Sequence, residues 1–228
     1  LFAEIWRDRP PLPKEPIYEH EVPYAGTTRE AKLAQLRDEL EARECEWTVV
    51  ATLDDIAWLF NLRGTDVPYN PVFLSFAVVG RDRTVLCVHQ ASMSDQLRAD
   101  LEAGGVSILD YHTVDEVVRS IPVESRVLVD PERINVELFQ AIPGTIVEEM
   151  NPTTRLKARK TQAELENLRR CMIRDGAAMV EFLAWLTKSI ADGVTLTEYD
   201  AQKRLREFRA ARDLFVSEAR VDEGPTIK

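Results

Sequence analysis

The sequence predicts an α/β domain with a mixed sheet, followed by a helical segment. Helix and strand patterns alternate from Thr27 to Glu149, whereas no strand pattern follows Asn151-Pro152. A composition of 45% apolar and 30% charged residues is typical of a folded protein and excludes a disordered or collagen-like chain. We therefore divide the chain into a connector (1–25), an α/β domain (26–152) and a helical segment (153–228).

Residues 1–25 are predicted to be a semi-rigid connector, because a proline-dense run sustains neither a helix nor a central strand. They contain five of the twelve prolines of the chain, namely Pro10, Pro11, Pro13, Pro16 and Pro23. Leu1 is not an initiator methionine, and the apolar Phe2, Ile5 and Trp6 precede the prolines. We expect this connector to follow a preceding domain.

The α/β domain begins with a predicted helix and a buried strand. Thr27 and Glu30 indicate a capping box, and the run 47–52 is apolar enough for a buried strand. One helical face carries Leu33, Leu36 and Leu40. After residue 71 the predicted elements are strand 72–79, turn Gly80-Arg81-Asp82, strand 84–89, helix 93–103 closed by Gly104-Gly105, strand 106–109, a helix capped by Thr113 with Glu116, strand 126–129, helix 135–140 and strand 146–149. The turn favours antiparallel pairing of its two flanking strands.

One segment of this domain carries more polar groups than its packing requires. Asp54 or Asp55 is expected to cap a short apolar helix that runs through Phe60 and ends at Gly64. The helix does not explain four polar side chains around the following turn, which are Asn61, Arg63, Asp66 and Asn70. They either satisfy backbone groups or face a neighbouring active site, and Arg63 is placed to pair with Asp66 or to reach another domain.

The helical segment opens with a capping box of Thr161 and Glu164. The helix that follows spans about eight turns and ends at Asp192-Gly193. Its apolar face comprises Leu165, Leu168, Met172, Met179, Phe182, Leu183, Leu186 and Ile190. Thr197 with Asp200 starts a second helix, whose core face is Tyr199, Leu205 and Phe208. Two helices cannot bury such faces against each other alone, so we expect the opening of a larger domain.

Charge and cysteine content limit the classes of partner and compartment. A net charge of −10 disfavours non-specific nucleic-acid and anionic-membrane binding. No window approaches the ~18 apolar residues of a membrane span, and the chain opens without the apolar core of a signal peptide. We expect a cytosolic protein with no nucleic-acid or membrane partner. Cys45, Cys87 and Cys171 lie far apart in sequence and are predicted to be buried free thiols.

The histidines suggest no metal site. His20, His89 and His112 do not lie at metal-ligand spacing, so we interpret each as a surface or structural residue. Acidic pairs such as Glu148-Glu149 are interpreted as solvated. The sequence contains no G-x-G-x-x-G, Walker A or G-x-S-x-G motif.

Three separate runs carry a specific resemblance to one enzyme family. They are IWRDRPPLP, DDIAWLFNLRGTDVPYNPVF and KARKTQAELENLRRCMIRDGAAMVEFLAWL. Over Ile5 to Ser217 the chain closely resembles the eukaryotic cytosolic type of Xaa-Pro aminopeptidase, and after Ser217 the resemblance fades. It implies the end of a first creatinase-like domain, a whole creatinase-N-terminal-like α/β domain, and the opening helices of an incomplete pita-bread domain.

The resemblance also implies a chemistry. The family removes the N-terminal residue from peptides with proline in the second position, and we expect a homodimer. Two divalent metal ions, typically manganese, are held there by two aspartates, one histidine and two glutamates beyond the helices of this chain, where they activate a bridging water. No residue of this chain is therefore assigned as catalytic or as a metal ligand, and we expect the chain alone to be inactive and metal-free. Asn61, Arg63, Asp66 and Asn70 are the substrate-side candidates.

The alternative is a non-catalytic module of the same superfamily, similar to that of a histone chaperone, whose acidity would suit a basic partner. The acidic residues are dispersed rather than gathered into blocks, and the NLRG and NP runs match the peptidase. A prolidase fits less well, because a connector followed by a second creatinase-like unit favours aminopeptidase P.

Overall fold

The computed structural model describes residues 5–212 of the chain. Two compact units divide between Lys160 and Thr161. Phe2 of the predicted connector and the end of the resemblance at Ser217 lie outside the described residues. The assignment of residues 26–152 and 153–228 to two domains of the enzyme family stays a prediction.

The first unit is built on strands. In chain order they are β1 (Tyr18–Glu19), β2 (Trp47–Val50), β3 (Leu62–Arg63), β4 (Ser75–Gly80), β5 (Thr84–Val88), β6 (Val106–Asp110), β7 (Arg126–Val129) and β8 (Thr145–Glu148). Six of them form a mixed sheet with the order β6-β5-β4-β2-β7-β8. Strand β4 is antiparallel to both of its neighbours, and the remaining neighbouring pairs are parallel. The other two strands, β1 and β3, form a separate antiparallel pair. The predicted mixed sheet and its antiparallel hairpin are confirmed.

Helices cover both faces of this sheet, as expected for an α/β domain. In chain order they are α1 (Val22–Ala25), α2 (Arg29–Glu41), α3 (Leu53–Leu59), α4 (Asp95–Ala103), α5 (Val114–Arg119), α6 (Val136–Ala141) and α7 (Pro152–Ala158). Apolar residues of α2, α3 and α4 form one core with the sheet, and those of α5 and α6 form the other. Because successive side chains of a strand point to opposite faces, Val49 packs in one core and Val50 in the other.

Three predicted helix starts differ in detail. The first helix is capped by Thr28 rather than Thr27, since the Thr28 side chain accepts the Ala31 amide. The short helix α3 is preceded by Thr52, so that Asp54 and Asp55 lie inside its first turn and are free to bind elsewhere. Thr113 precedes α5 without a side-chain cap, and its hydroxyl donates to the Asp110 carbonyl at 2.8 Å.

The connector is more ordered than its proline content predicts. It contains β1 and the single turn α1, whose first turn accommodates Pro23 because proline lacks only an amide that a helix start leaves unused. Ile17 is buried and its amide donates to the Ser92 carbonyl at 2.7 Å. Part of the connector is therefore bound to the α/β domain.

The second unit contains the helices α8 (Gln162–Ala191) and α9 (Glu198–Ala210). The predicted capping box of Thr161 and Glu164 forms, and Thr197 and Asp200 form a second one at the predicted start of α9. Arg209 of α9 donates two hydrogen bonds to the carboxylate of Asp175 in α8. Most of the predicted apolar face of α8 stays exposed, although Phe182 is buried. No helix within residues 5–212 has both the length and the apolar character needed to cross a membrane.

Candidate functional site

The four candidate side chains follow α3 on one short stretch of chain. Asn61 follows Phe60, the residue that caps the helix, Arg63 lies in β3, and Asp66 and Asn70 lie in the following turn. The structure therefore brings them to the same region, as the sequence predicts. Each has a different role there.

Strand β3 pairs with β1 in an antiparallel ribbon outside the main sheet, with Tyr18 opposite Arg63. Two other contacts continue the same register at either end. The His20 amide donates to the Asn61 carbonyl at 2.8 Å. The Glu15 amide donates to Oδ1 of Asp66 at 3.0 Å. The ribbon thus spans residues 15–20 and 61–66, and it positions the candidate residues against the connector.

Asn61 is a structural residue that turns the chain out of α3. Its φ of 52° lies in the left-handed region, which asparagine tolerates better than most residues. The helix therefore ends here and not at Gly64. Its Nδ2 donates to the Thr27 carbonyl at 2.8 Å, and its Oδ1 accepts from Lys32 Nζ at 2.6 Å. Both polar ends of this buried side chain are thus used inside the domain.

Lys32 is the partner that sequence reasoning missed. It is only 2% exposed, and its ammonium donates to the Trp58 carbonyl at 3.0 Å. The same ammonium lies 4.5 Å from the centre of a Trp58 ring, a cation–π contact. A lysine on an amphipathic helix is ordinarily solvated, so the only signal in the sequence was an asparagine in an apolar run that would need a donor.

Arg63 binds the helix that precedes it. Its Nη1 donates to the Ala57 carbonyl at 3.0 Å and to the Leu62 carbonyl at 2.8 Å. These bonds satisfy carbonyls near the end of α3, so of the two roles left open by the sequence the geometry favours the structural one.

Replacing Arg63 with alanine is expected to lower the free energy of unfolding by about 1–3 kcal/mol, because two charge-assisted hydrogen bonds are lost. Urea denaturation measures this. Arg81→Ala is the matched control, since Arg81 is exposed and lies 3.8 Å from Glu46, and it should change stability by less than about 1 kcal/mol. An Arg63→Ala variant as stable as wild type would assign the side chain a role outside the fold.

Asp66 and Asn70 shape the turn that follows the ribbon. The buried Asp66 carboxylate accepts two backbone amides, from Glu15 and, at 2.8 Å, from Leu74. Asn70 is exposed, and its backbone amide donates to the Val67 carbonyl at 3.1 Å. Both carboxylate oxygens of Asp66 thus accept hydrogen bonds inside the domain, whereas the side chain of Asn70 is exposed to solvent.

Gly64 is required because β3 approaches the start of β4 closely. A Cβ at this position would lie 2.8 Å from Cβ of Phe73, a fully buried residue. Gly64→Ala is therefore expected to destabilise the chain by about 1–3 kcal/mol through overpacking. Gly176→Ala is the control. It meets nothing within 4 Å in α8 and should stabilise the chain by up to about 1 kcal/mol. Equal effects of the two substitutions in thermal unfolding would contradict this.

A second polar cluster, not anticipated from the sequence, surrounds Asp55. This carboxylate is 1% exposed, and Oδ2 accepts the hydroxyls of Thr52, Thr153 and Thr154 at 2.9, 3.1 and 2.8 Å. Its Oδ1 lies 2.7 Å from Lys157 Nζ. The cluster fastens α7 to α3 across a separation of about a hundred residues in sequence, which no local pattern indicates.

Asp54 shares Lys157 with Asp55 but lies at the surface. Partial burial acts to raise its pKa, but the hydrogen bond and charge of Lys157, together with the backbone amides of Asp54 and Asp55, outweigh this, so the pKa of Asp54 lies below its ordinary value. A lowered folded-state pKa contributes stability at neutral pH that is lost as the pH falls through it. Between about pH 6 and about pH 3, the melting temperature of Asp54→Asn should therefore fall less than that of wild type. If the melting temperatures of Asp54→Asn and wild type fell in parallel with pH, the electrostatic coupling of Asp54 to Lys157 would be disproved.

The three cysteines differ in burial. Cys45 and Cys87 are buried as predicted, and burial raises the pKa of Cys87 to about 11, which makes it a poor nucleophile. The prediction is wrong for Cys171, which is exposed because its side of α8 has no covering element within the described residues. Within residues 5–212, no three His, Cys, Asp or Glu side chains are grouped to hold a metal ion. The described residues therefore do not fit a dinuclear metal centre.

Comparison with known proteins identifies relatives along nearly the whole chain. Residues 8–164 match the family model of the Creatinase/Prolidase N-terminal domain. The chain is 38% identical, over 95% of its length, to the probable Xaa-Pro aminopeptidase P of Arthroderma benhamiae, of which it covers 32%. It is also 38% identical to the protein of that name in Pyricularia oryzae, again over 95% of the chain and 38% of the relative. The chain thus spans about a third of the length of these relatives.

Solved structures agree with this relationship. X-prolyl aminopeptidase from Caenorhabditis elegans, described as a cytosolic enzyme with a di-nuclear active site, matches with a TM-score of 0.86 and 30% identity. The match covers 94% of this chain and 36% of that enzyme. The Xaa-Pro dipeptidase from Bacillus anthracis shares the fold, with a TM-score of 0.58 and 13% identity over 80% of this chain and 49% of its own. The α/β unit and these matches show that the chain belongs to the Creatinase/Prolidase N-terminal domain family.

Proposed function

We propose that this chain is a segment of a Xaa-Pro aminopeptidase, which removes the N-terminal residue from peptides with proline in the second position. The observation that carries the proposal is the 38% identity, over 95% of the chain, to relatives of that name. The match to the Caenorhabditis elegans X-prolyl aminopeptidase supports it independently, since it compares backbone structure.

Within such an enzyme this segment acts as scaffold. Asn61 and Asp66 are committed to hydrogen bonds inside the domain, and Arg63 binds two carbonyls, so these residues stabilise the ribbon. Two divalent metal ions, manganese in our proposal, are bound in the complete enzyme, and no residue of this chain is proposed as a ligand of either ion. We further propose a cytosolic homodimer that acts on proline-containing peptides and has no nucleic-acid or membrane partner.

The test compares the protein encoded by the complete open reading frame with the 228-residue chain. Each is incubated with manganese and with two peptides that differ only in proline or alanine at the second position, and the released first residue is quantified. We expect release from the proline peptide by the complete protein alone, and loss of release when a chelator removes the metal.

Two results would contradict the proposal. Failure of the complete protein to distinguish proline from alanine would refute the substrate class. Release by the 228-residue chain itself would refute its role as scaffold. Capture of a basic protein such as a histone, without any cleavage, would favour the non-catalytic alternative.

A further inference from the structure

Two histidines meet at the carboxyl ends of the neighbouring parallel strands β5 and β6. Val88 pairs with Asp110 at the last register position of these strands, so His89 and Tyr111 are the first residues beyond it. The chain then leaves β5 toward α4, which packs in one core, and leaves β6 toward α5, which packs in the other. Open α/β sheets bind ligands in the crevice between strand ends whose connections diverge in this way.

Three rings lie together at these strand ends. The ring of His89 is stacked on that of Tyr111, with centres 5.2 Å apart and an angle of 25° between the planes. The ring of His112 lies at 70° to that of His89 and at 85° to that of Tyr111, with centres 5.6 and 5.4 Å away. Because the two histidines follow different strands, their spacing in the sequence gives no sign of a pair.

His89 is buried without a hydrogen-bond partner for one of its ring nitrogens. The residue is 7% exposed, and its Nε2 makes no hydrogen bond to the described part of the chain. The hydroxyl of Ser92, in the same turn, is also unpaired among these residues, although the Ser92 amide donates to the His89 carbonyl at 2.9 Å. Buried polar groups are nearly always paired, so such a nitrogen marks a place for a water molecule or an ion.

The second imidazole favours an ion over water at this place. Histidine is the side chain that most often binds metal ions, and its nitrogen binds Zn²⁺ at about 2.0–2.1 Å. Because an imidazole nitrogen lies about 1.1 Å from the centre of its ring, two rings that share one ion have centres about 5–6 Å apart. The 5.6 Å between the ring centres of His89 and His112 fits this range.

His112 is the accessible half of the pair. Its side chain is exposed to solvent, whereas its backbone is held by the donation of its amide to Oδ1 of Asp110 at 3.0 Å. The carboxylate of Asp110 also places a negative charge beside the rings, which favours a cation. Within residues 5–212 no third His, Cys, Asp or Glu side chain completes a metal-binding group, so the remaining positions around the ion fall to water.

We propose that His89 and His112 together bind one divalent transition-metal ion, Zn²⁺, through their imidazole nitrogens. Imidazole ligands suit Zn²⁺, whereas Mg²⁺ and Ca²⁺ prefer oxygen ligands. A site with two protein ligands binds more weakly than a four-ligand structural site, so we expect a Kd of about 10 µM. The proposal does not depend on the proposed peptidase activity, because it rests on the α/β unit alone.

The test titrates ZnCl₂ into the untagged 228-residue chain by isothermal titration calorimetry. We expect one ion per chain at about pH 7.5 and loss of binding at about pH 5, because protonated imidazoles cannot bind metal. His112→Gln, a change at an exposed position, should weaken binding at least tenfold while the metal-free chain keeps its melting temperature. His20→Gln is the matched control, since His20 is the third histidine of the chain and lies in the connector.

Two further measurements report on the site itself. ZnCl₂ should raise the melting temperature of wild type and of His20→Gln but not that of His112→Gln, because a ligand stabilises the state that binds it. In NMR spectra of the histidine rings, the signals of His89 and His112 should shift on addition of ZnCl₂, and those of His20 should stay in place.

Three results would overturn the inference. The first is equal affinity for Zn²⁺ in wild type and in the double variant His89→Gln/His112→Gln, which would assign the binding to surface carboxylates. The second is a shift of only one of the two ring signals, which would show that the histidines do not share the ion. The third is the absence of binding to wild type at ZnCl₂ concentrations tenfold above the expected Kd, which would leave the nitrogen of His89 to a water molecule.

Discussion

Replacing Asp55 with alanine is expected to lower the free energy of unfolding by about 3–5 kcal/mol, the largest effect among the substitutions considered. The change leaves Lys157 without its buried counter-charge and removes the acceptor of three threonine hydroxyls. Because the cluster fastens α7 to α3, residues near Pro152 should also lose protection from hydrogen exchange. Urea denaturation and hydrogen exchange measure the two effects.

Asp54→Ala is the matched control, because Asp54 contacts the same lysine but its side chain is 58% exposed. It should change stability by less than about 1 kcal/mol. Asp55→Asn keeps the shape without the charge and should still be clearly destabilised. If both alanine variants unfolded at the same urea concentration, the buried Asp55 would stabilise the fold no more than the exposed Asp54.

Lys32→Ala is expected to lower the free energy of unfolding by about 2–4 kcal/mol. The substitution opens a cavity beneath Trp58 and leaves Oδ1 of Asn61 buried without its donor. Since Asn61 sets the direction in which the ribbon leaves α3, the backbone resonances of residues 61–66 should shift together.

Two further variants test whether the buried ammonium of Lys32 is the source of this loss. Lys32→Met retains the apolar stem and should cost less than Lys32→Ala, because only the polar contacts are lost. Lys188 is the exposed control, with its side chain 76% accessible beside Asp192, and Lys188→Ala should be nearly neutral. Equal losses for Lys32 and Lys188 would contradict the importance of the buried ammonium.

The elements of the fold were predictable where the signal is local. Leu33, Leu36 and Leu40 share a helical face because the helix period brings them together, and all three are buried. The capping box of Thr161 and Glu164 formed for the same reason, since both partners lie within one helical turn. The predictions were wrong at helix ends where two neighbouring residues can both act as the cap. Thr28, rather than Thr27, caps the first long helix.

The sequence predicted that the polar groups from Asn61 to Asn70 cluster around a turn, and the structure places them there. Their role as substrate-side residues stays a prediction. Their partners were not predictable, because Asn61 binds Lys32 and Asp66 binds the Glu15 amide, and these contacts cross about thirty and about fifty positions of sequence.

By itself the sequence determined the order of the six strands of the main sheet and of most helices, the antiparallel hairpin and the family resemblance, since each depends on spacing within one element or one short run. It did not predict the strands β1 and β3 or the helices α1 and α7. Only the tertiary structure decided which polar groups are buried and paired. Lys32 and Asp55 are 2% and 1% exposed, although most lysines and aspartates are solvated. The physical reason is that a buried charge persists only where distant segments supply its partners, and those segments meet only when the sheet has formed.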